Sequence, residues 1–86
     1  MHWQEVQTHF PDQWVLFEAL EAHTEENRRI IEQLAIINVF PDSESAMKSY
    51  LGLHRQFPGR EFYVFHTSRE SLDITVQRRV GIRFHA

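Results

Sequence analysis

The chain contains no cysteine, and its 86 residues include only three prolines and three glycines. Without cysteine there are no disulfides, thiolate zinc sites, iron–sulfur clusters or cysteine nucleophile. Stability must come from packing, or from a partner subunit. No apolar run approaches the ~20 residues that a membrane-spanning helix needs. The opening Met1-His2-Trp3-Gln4-Glu5 lacks the basic start and apolar stretch of a secretory leader. The expectation is a cytoplasmic protein that does not engage a membrane.

The sequence also lacks the usual catalytic patterns. It has no glycine-rich phosphate loop, no Gly-x-Ser-x-Gly and no His-x-x-x-His pair for a helix. Asp42-Ser43 is followed by Glu44 rather than by the glycine of an aspartic protease. No catalytic residue, cofactor or metal site is indicated, and an enzyme is the less favoured expectation.

What is present describes a folded domain. Apolar residues make up 42% and charged residues 24%, close to the averages for globular proteins. A chain this short buries only about 60–65% of its unfolded surface, so one thin core over residues 1–86 is expected. The net charge of −3 is unevenly spread. Residues 1–45 set Arg28 and Arg29 against nine acids, and residues 46–86 set seven bases against Glu61, Glu70 and Asp73. The plain reading is that the two halves attract each other within one fold. The alternative is an interaction surface.

The prolines and glycines punctuate the chain. Trp3, Val6 and Phe10 share one face of a short helix, which Pro11-Asp12 ends. Residues 13–40 admit two readings. Glu18 to Ala22 and Arg28 to Leu34 are good helix formers, which suits one long helix. Trp14-Val-Leu-Phe and Leu34-Ala-Ile-Ile-Asn-Val-Phe are β-branched and aromatic, and the polar stretch 23–27 between them suits a turn. We adopt the hairpin, with strands over about 14–22 and 29–40. The second strand has no clean polar face, as expected near a sheet centre.

Residues 43–57 predict a helix capped by Asp42. Its apolar stripe is Ala46, Met47, Tyr50, Leu51, Leu53, His54 and Phe57. Gly52 inside it suggests close approach by another element. Pro58-Gly59 stops the helix, and residues 60–66 alternate as a strand. A last strand, bulged or broken, is expected over 72–84. The fold class is therefore α+β, in the order α-β-β-α-β-β. Its three- to four-stranded sheet is mainly antiparallel, with the 43–57 helix packed on one face.

Three sets of residues are candidates for function. His23-Thr24 and His66-Thr67 each end a predicted strand, and with Arg69 they form a candidate ligand or metal site if the two strands run parallel. The plainer reading has each histidine bonded to a loop backbone. Arg69, Arg78, Arg79 and Arg83, with Phe62, Tyr63 and Phe65, outline a candidate nucleic-acid surface. The acidic net charge argues against it. Trp3, Trp14 and Phe84, with Arg78 and Arg79, are candidates for a surface where a homo-oligomer or partner protein docks.

Trp3-Gln-Glu-Val, Pro11-Asp-Gln-Trp-Val-Leu and Arg60-Glu-Phe-Tyr-Val-Phe-His-Thr-Ser-Arg together resemble a family of small bacterial proteins of unknown function. Its members are often encoded beside a retropepsin-like aspartic protease. The resemblance spans nearly the whole chain and carries over no catalytic residue. It implies strands in residues 14–40 and a protein partner, with such a protease as one candidate. The leading expectation is a non-enzymatic interaction or regulatory module. It would act as a homo-oligomer or beside a partner protein.

Overall fold

A computed structural model describes residues 1–72, 74 and 75. The elements are α1 (Trp3–His9), β1 (Trp14–Glu25), β2 (Arg28–Phe40), α2 (Ser43–Gln56), β3 (Phe62–His66) and the two-residue β4 (Ile74–Thr75). The sheet order is β3-β1-β2-β4, and every neighbouring pair is antiparallel. This is the expected α+β arrangement. The expected strand residues beyond 75 lie outside the described residues.

β1 and β2 form the long hairpin rather than one helix. The turn is tighter than the polar stretch 23–27 suggested. Glu25 pairs with Arg28, and only Glu26 and Asn27 bridge them, with φ of 49° and 67°. Two consecutive residues with positive φ are the signature of a type I′ turn, which matches the twist of the flanking strands. Asn27 tolerates that conformation, whereas Glu26 has no short polar side chain to help it. Glu26→Asn should therefore stabilise the fold by about 0.5–1 kcal/mol. Thermal unfolding checks it, and an unchanged or lower midpoint would refute the turn assignment.

The missing polar face of β2 has a specific cause. The β1–β2 register slips three times, leaving Leu20, Glu32 and Ile37 without a cross-strand partner. Each bulge flips the side chains beyond it to the other face. Ile31, Leu34, Ile36 and Val39 thereby all reach one core despite their irregular spacing. The bulged Leu20 and Ile37 are left 57% and 41% exposed.

The two helices cover opposite faces. On one, Trp3 and Val6 of α1 pack with Val15, Phe17 and Leu34, and Tyr63 and Phe65 join them. On the other, Leu16, Val64 and Phe62 share a face through the β1–β3 register, and Ala46 of α2 closes over it. β1 is thus covered on both sides, and Val15, Leu16 and Phe17 are buried in succession.

Local chemistry sets the helix ends. Asp42 Oδ1 accepts the Ser45 backbone N–H at 2.7 Å, which caps α2 and lowers the Asp42 pKa. Glu5 accepts the His2 backbone N–H at 2.8 Å at the start of α1. The Met1 carbonyl accepts the Leu34 N–H at 2.9 Å, tying that end to β2. A Cβ built at Gly52 would meet nothing within 4 Å. The expected close approach at Gly52 is not found among the described residues.

Candidate interaction surface

The structure separates the residues of the candidate ligand site. β1 and β3 run antiparallel, not parallel, and His66 pairs with Trp14, nine positions along β1 from His23. At about 3.3 Å per strand residue that is on the order of 30 Å, so no single ion or small ligand touches both. Among the described residues no group of three His, Asp or Glu side chains is placed to hold a metal.

Each histidine has its own local partners. His23 lies between Glu25 and Glu32, at 3.3 and 3.2 Å. The Ser68 backbone N–H donates to His66 Nδ1 at 3.1 Å, with Ser68 Oγ at 2.9 Å. Its Nε2 is 3.6 Å from Asp12. His66 is thus a strand-end residue bonded to a loop backbone, with the Trp14 ring edge-on at 5.1 Å.

Thr67 and Arg69 form a latch. Thr67 N–H donates to the Gln13 carbonyl and its Oγ1 accepts the Gln13 N–H, at 2.9 and 3.1 Å. The Arg69 carbonyl accepts Trp3 Nε1–H at 2.8 Å and Gln7 Nε2–H at 2.6 Å. These bonds fasten α1 to the end of β3. The Arg69 guanidinium lies over the Phe65 ring at 4.6 Å.

Trp3 is therefore not part of an exposed patch. It is 8% exposed, packed on Phe17 and Phe65. Trp14 is half-buried. Arg78, Arg79, Arg83 and Phe84 lie outside the described residues. Tyr63 and Phe65 belong to the α1-side core and Phe62 is buried, so these aromatics pack rather than offer a stacking platform for bases.

Two ion pairs join the halves, the first along the charge asymmetry and the second against it. Arg60 bonds Glu18 through two nitrogens at 2.9 and 2.5 Å. Arg29 forks onto Glu61 at 2.9 and 2.8 Å, and the Tyr63 hydroxyl donates to the same carboxylate. The Arg29 guanidinium holds the Glu61 pKa down, and Glu61 raises that of Arg29. Burial first, then the bond to Glu61, raises the Tyr63 hydroxyl.

The surface that stands out is one that residue types alone did not mark. α2 buries much less of its stripe than expected. Ala46 is fully buried, but Met47, Leu51 and Phe57 are 39%, 50% and 39% exposed. His54 is also exposed, stacked on Tyr50 at 5.7 Å, rather than a core residue. The signal was the width of the stripe. At 3.6 residues per turn, the seven apolar positions span about 160°, more than one flat contact can cover.

This apolar flank overhangs a sheet edge. Met47 and Tyr50 line a groove of about 260 Å³ with Phe62, Tyr63, Val64 and Phe65. Among the described residues, β3 is the last strand on that side of the sheet. Ala19 N–H donates to the Glu61 carbonyl and Thr67 N–H to the Gln13 carbonyl, which places residues 61 and 67 in bonded pairs with β1. By antiparallel alternation, the N–H and C=O groups of Phe62, Val64 and His66 then point away from β1. Among the described residues, only the His66 carbonyl has a partner there, the Arg69 N–H at 3.2 Å.

Among the described residues, no helix is long and apolar enough to cross a membrane. Comparison with known proteins yields nothing: no family model matches the chain, and neither does any curated protein or solved structure.

Proposed function

We propose that this chain is a non-enzymatic interaction module that engages a protein through the β3 edge and the neighbouring flank of α2. One observation carries the reading. An apolar groove runs beside a strand whose outward backbone groups, the His66 carbonyl apart, have no partner among the described residues. A protein segment that adds to such an edge gains main-chain hydrogen bonds, and the groove selects its side chains. An unprotected edge beside apolar side chains is otherwise an aggregation hazard.

The polar side chains support the same reading. Arg29, Glu61, Arg60, Glu18, Thr67 and Gln7 are engaged in holding the fold together. The resemblance described above makes a retropepsin-like aspartic protease one protein partner to test. The test compares immobilised wild-type chain with Leu51→Glu, a change at an exposed site that the fold should withstand. Both are offered such a protease and extract from the source cells. A protein retained by the wild type and lost with Leu51→Glu supports the reading. Equal retention by both, or no partner and no self-association, rejects it.

A further inference from the structure

We infer that the occupant of this surface is a second copy of the same chain, docked β3 to β3 across a two-fold axis through Val64. The inference rests on the interaction reading above and names the partner.

The backbone fits a self-pairing. The groups pointing outward belong to Phe62, Val64 and His66, alternate residues centred on Val64. In an antiparallel self-pair on that centre, Val64 meets Val64 of the partner subunit and Phe62 meets His66 of the partner subunit. The outward N–H groups then find outward carbonyls. The His66 carbonyl keeps a second lone pair beyond its bond to Arg69. The two sheets become one continuous sheet without breaking any β1–β3 bond.

The same axis accounts for α2. A two-fold normal to the sheet places the second α2 on the same face, antiparallel to the first. Met47 and Tyr50 stand over Phe62 to Phe65, so the middle of α2 lies beside the middle of β3. One axis therefore serves both pairings. The flank turned toward it holds Met47, Tyr50, Leu51 and His54, the apolar side that the monomer leaves open. Along its outer border lie Glu44 in the first turn and Arg55 in the last. Antiparallel helices bring Glu44 of each subunit to Arg55 of the other, and the two-fold makes the pair twice. Glu44 and Arg55 are thus complementary in this orientation only, while Lys48 on the same border gains no acidic mate. Parallel helices would place like charges together.

Sedimentation velocity of the full chain tests this, from about 1 to 100 µM, the range where weak dimers dissociate. The wild type should show a dimer. Leu51→Glu should raise the dissociation constant at least about tenfold. So should Val64→Pro, whose lost N–H faces outward and leaves the β1 ladder intact. Glu44→Arg alone and Arg55→Glu alone should each weaken the dimer about five- to tenfold, and the two together should restore it. Restoration is the decisive result, and it does not depend on Val64→Pro folding. A wild type monomeric throughout overturns the inference, and so does a dimer indifferent to Leu51→Glu and to the charge exchange. A monomer that still retains a protein lost with Leu51→Glu rejects the second copy and leaves the interaction reading standing.

Discussion

Phe17→Ala is expected to cost about 3–5 kcal/mol, the usual price of emptying a fully buried aromatic site. Phe17 is 0% exposed, and its ring lies 6.1 Å from Trp3, 5.7 Å from Tyr63 and 6.1 Å from Phe65. It is where α1, β1 and β3 meet. An 86-residue domain has a total stability of only about 4–13 kcal/mol. The variant should therefore lose about a quarter or more of the total, and a parent at the low end of that range would be unfolded at room temperature. The cavity cannot collapse easily, because the β1 backbone beneath it is held by strands on both sides. Urea unfolding followed by tryptophan fluorescence reads the loss, since Trp3 packs on the missing ring. Phe57→Ala is the contrast. Phe57 is 39% exposed, and its loss should cost about 1 kcal/mol or less in the monomer. A loss below about 1.5 kcal/mol at Phe17 would mean that this core is not the one holding the fold.

Much of this core was legible in the sequence, and the reasons are local. Trp3 and Val6 repeat at helical spacing, so the inward face of α1 could be read. Asp42 and Pro58 bracket α2 within a residue or two. The alternation at 62–66 gave β3. The unread features share one property: they depend on which strands become neighbours. The bulges at Glu32 and Ile37 hide the alternation of β2, because each changes its phase, and the one at Leu20 does the same to β1. His23 and His66 look like a pair only if their strands run parallel, and the chain returns through α2 to lay β3 antiparallel against the other side of β1. Trp3 looked like a patch residue because nothing near it in sequence reveals the Arg69 carbonyl that receives its indole N–H. The stripe of α2 marked an apolar helix but not how much of it the sheet would cover. A sheet edge lies beneath it, and strand order is not written in any one strand.

Glu61→Gln should destabilise the fold by about 2–3 kcal/mol, more than most changes at a half-exposed site. The Glu61 carboxylate accepts both arms of Arg29 and the Tyr63 hydroxyl, with side-chain exposures of 26% for Arg29 and 31% for Glu61. The amide keeps the shape but loses the charge, leaving the Arg29 guanidinium without its counter-ion. Replacing both partners, Arg29→Met with Glu61→Leu, should cost much less, because neither leaves a charge behind. The pH profile should carry the same signature. Glu61 has a lowered pKa, so its contribution is present above the ordinary carboxylate range near 4 and is lost as pH falls through the lower folded value. Tyr63 is raised, so its contribution holds below its ordinary value near 10 and is lost as pH climbs above that toward the folded value. Glu61→Gln should thus flatten part of the acid limb. Glu18, Asp42 and Glu5 are also lowered by their own partners and will keep the rest. Tyr63→Phe should remove the corresponding loss on the alkaline side. Urea midpoints across pH for the three variants decide the matter. If Glu61→Gln and the double variant lose equal stability, Arg29 is not held by Glu61, and the acid limb belongs to the other carboxylates.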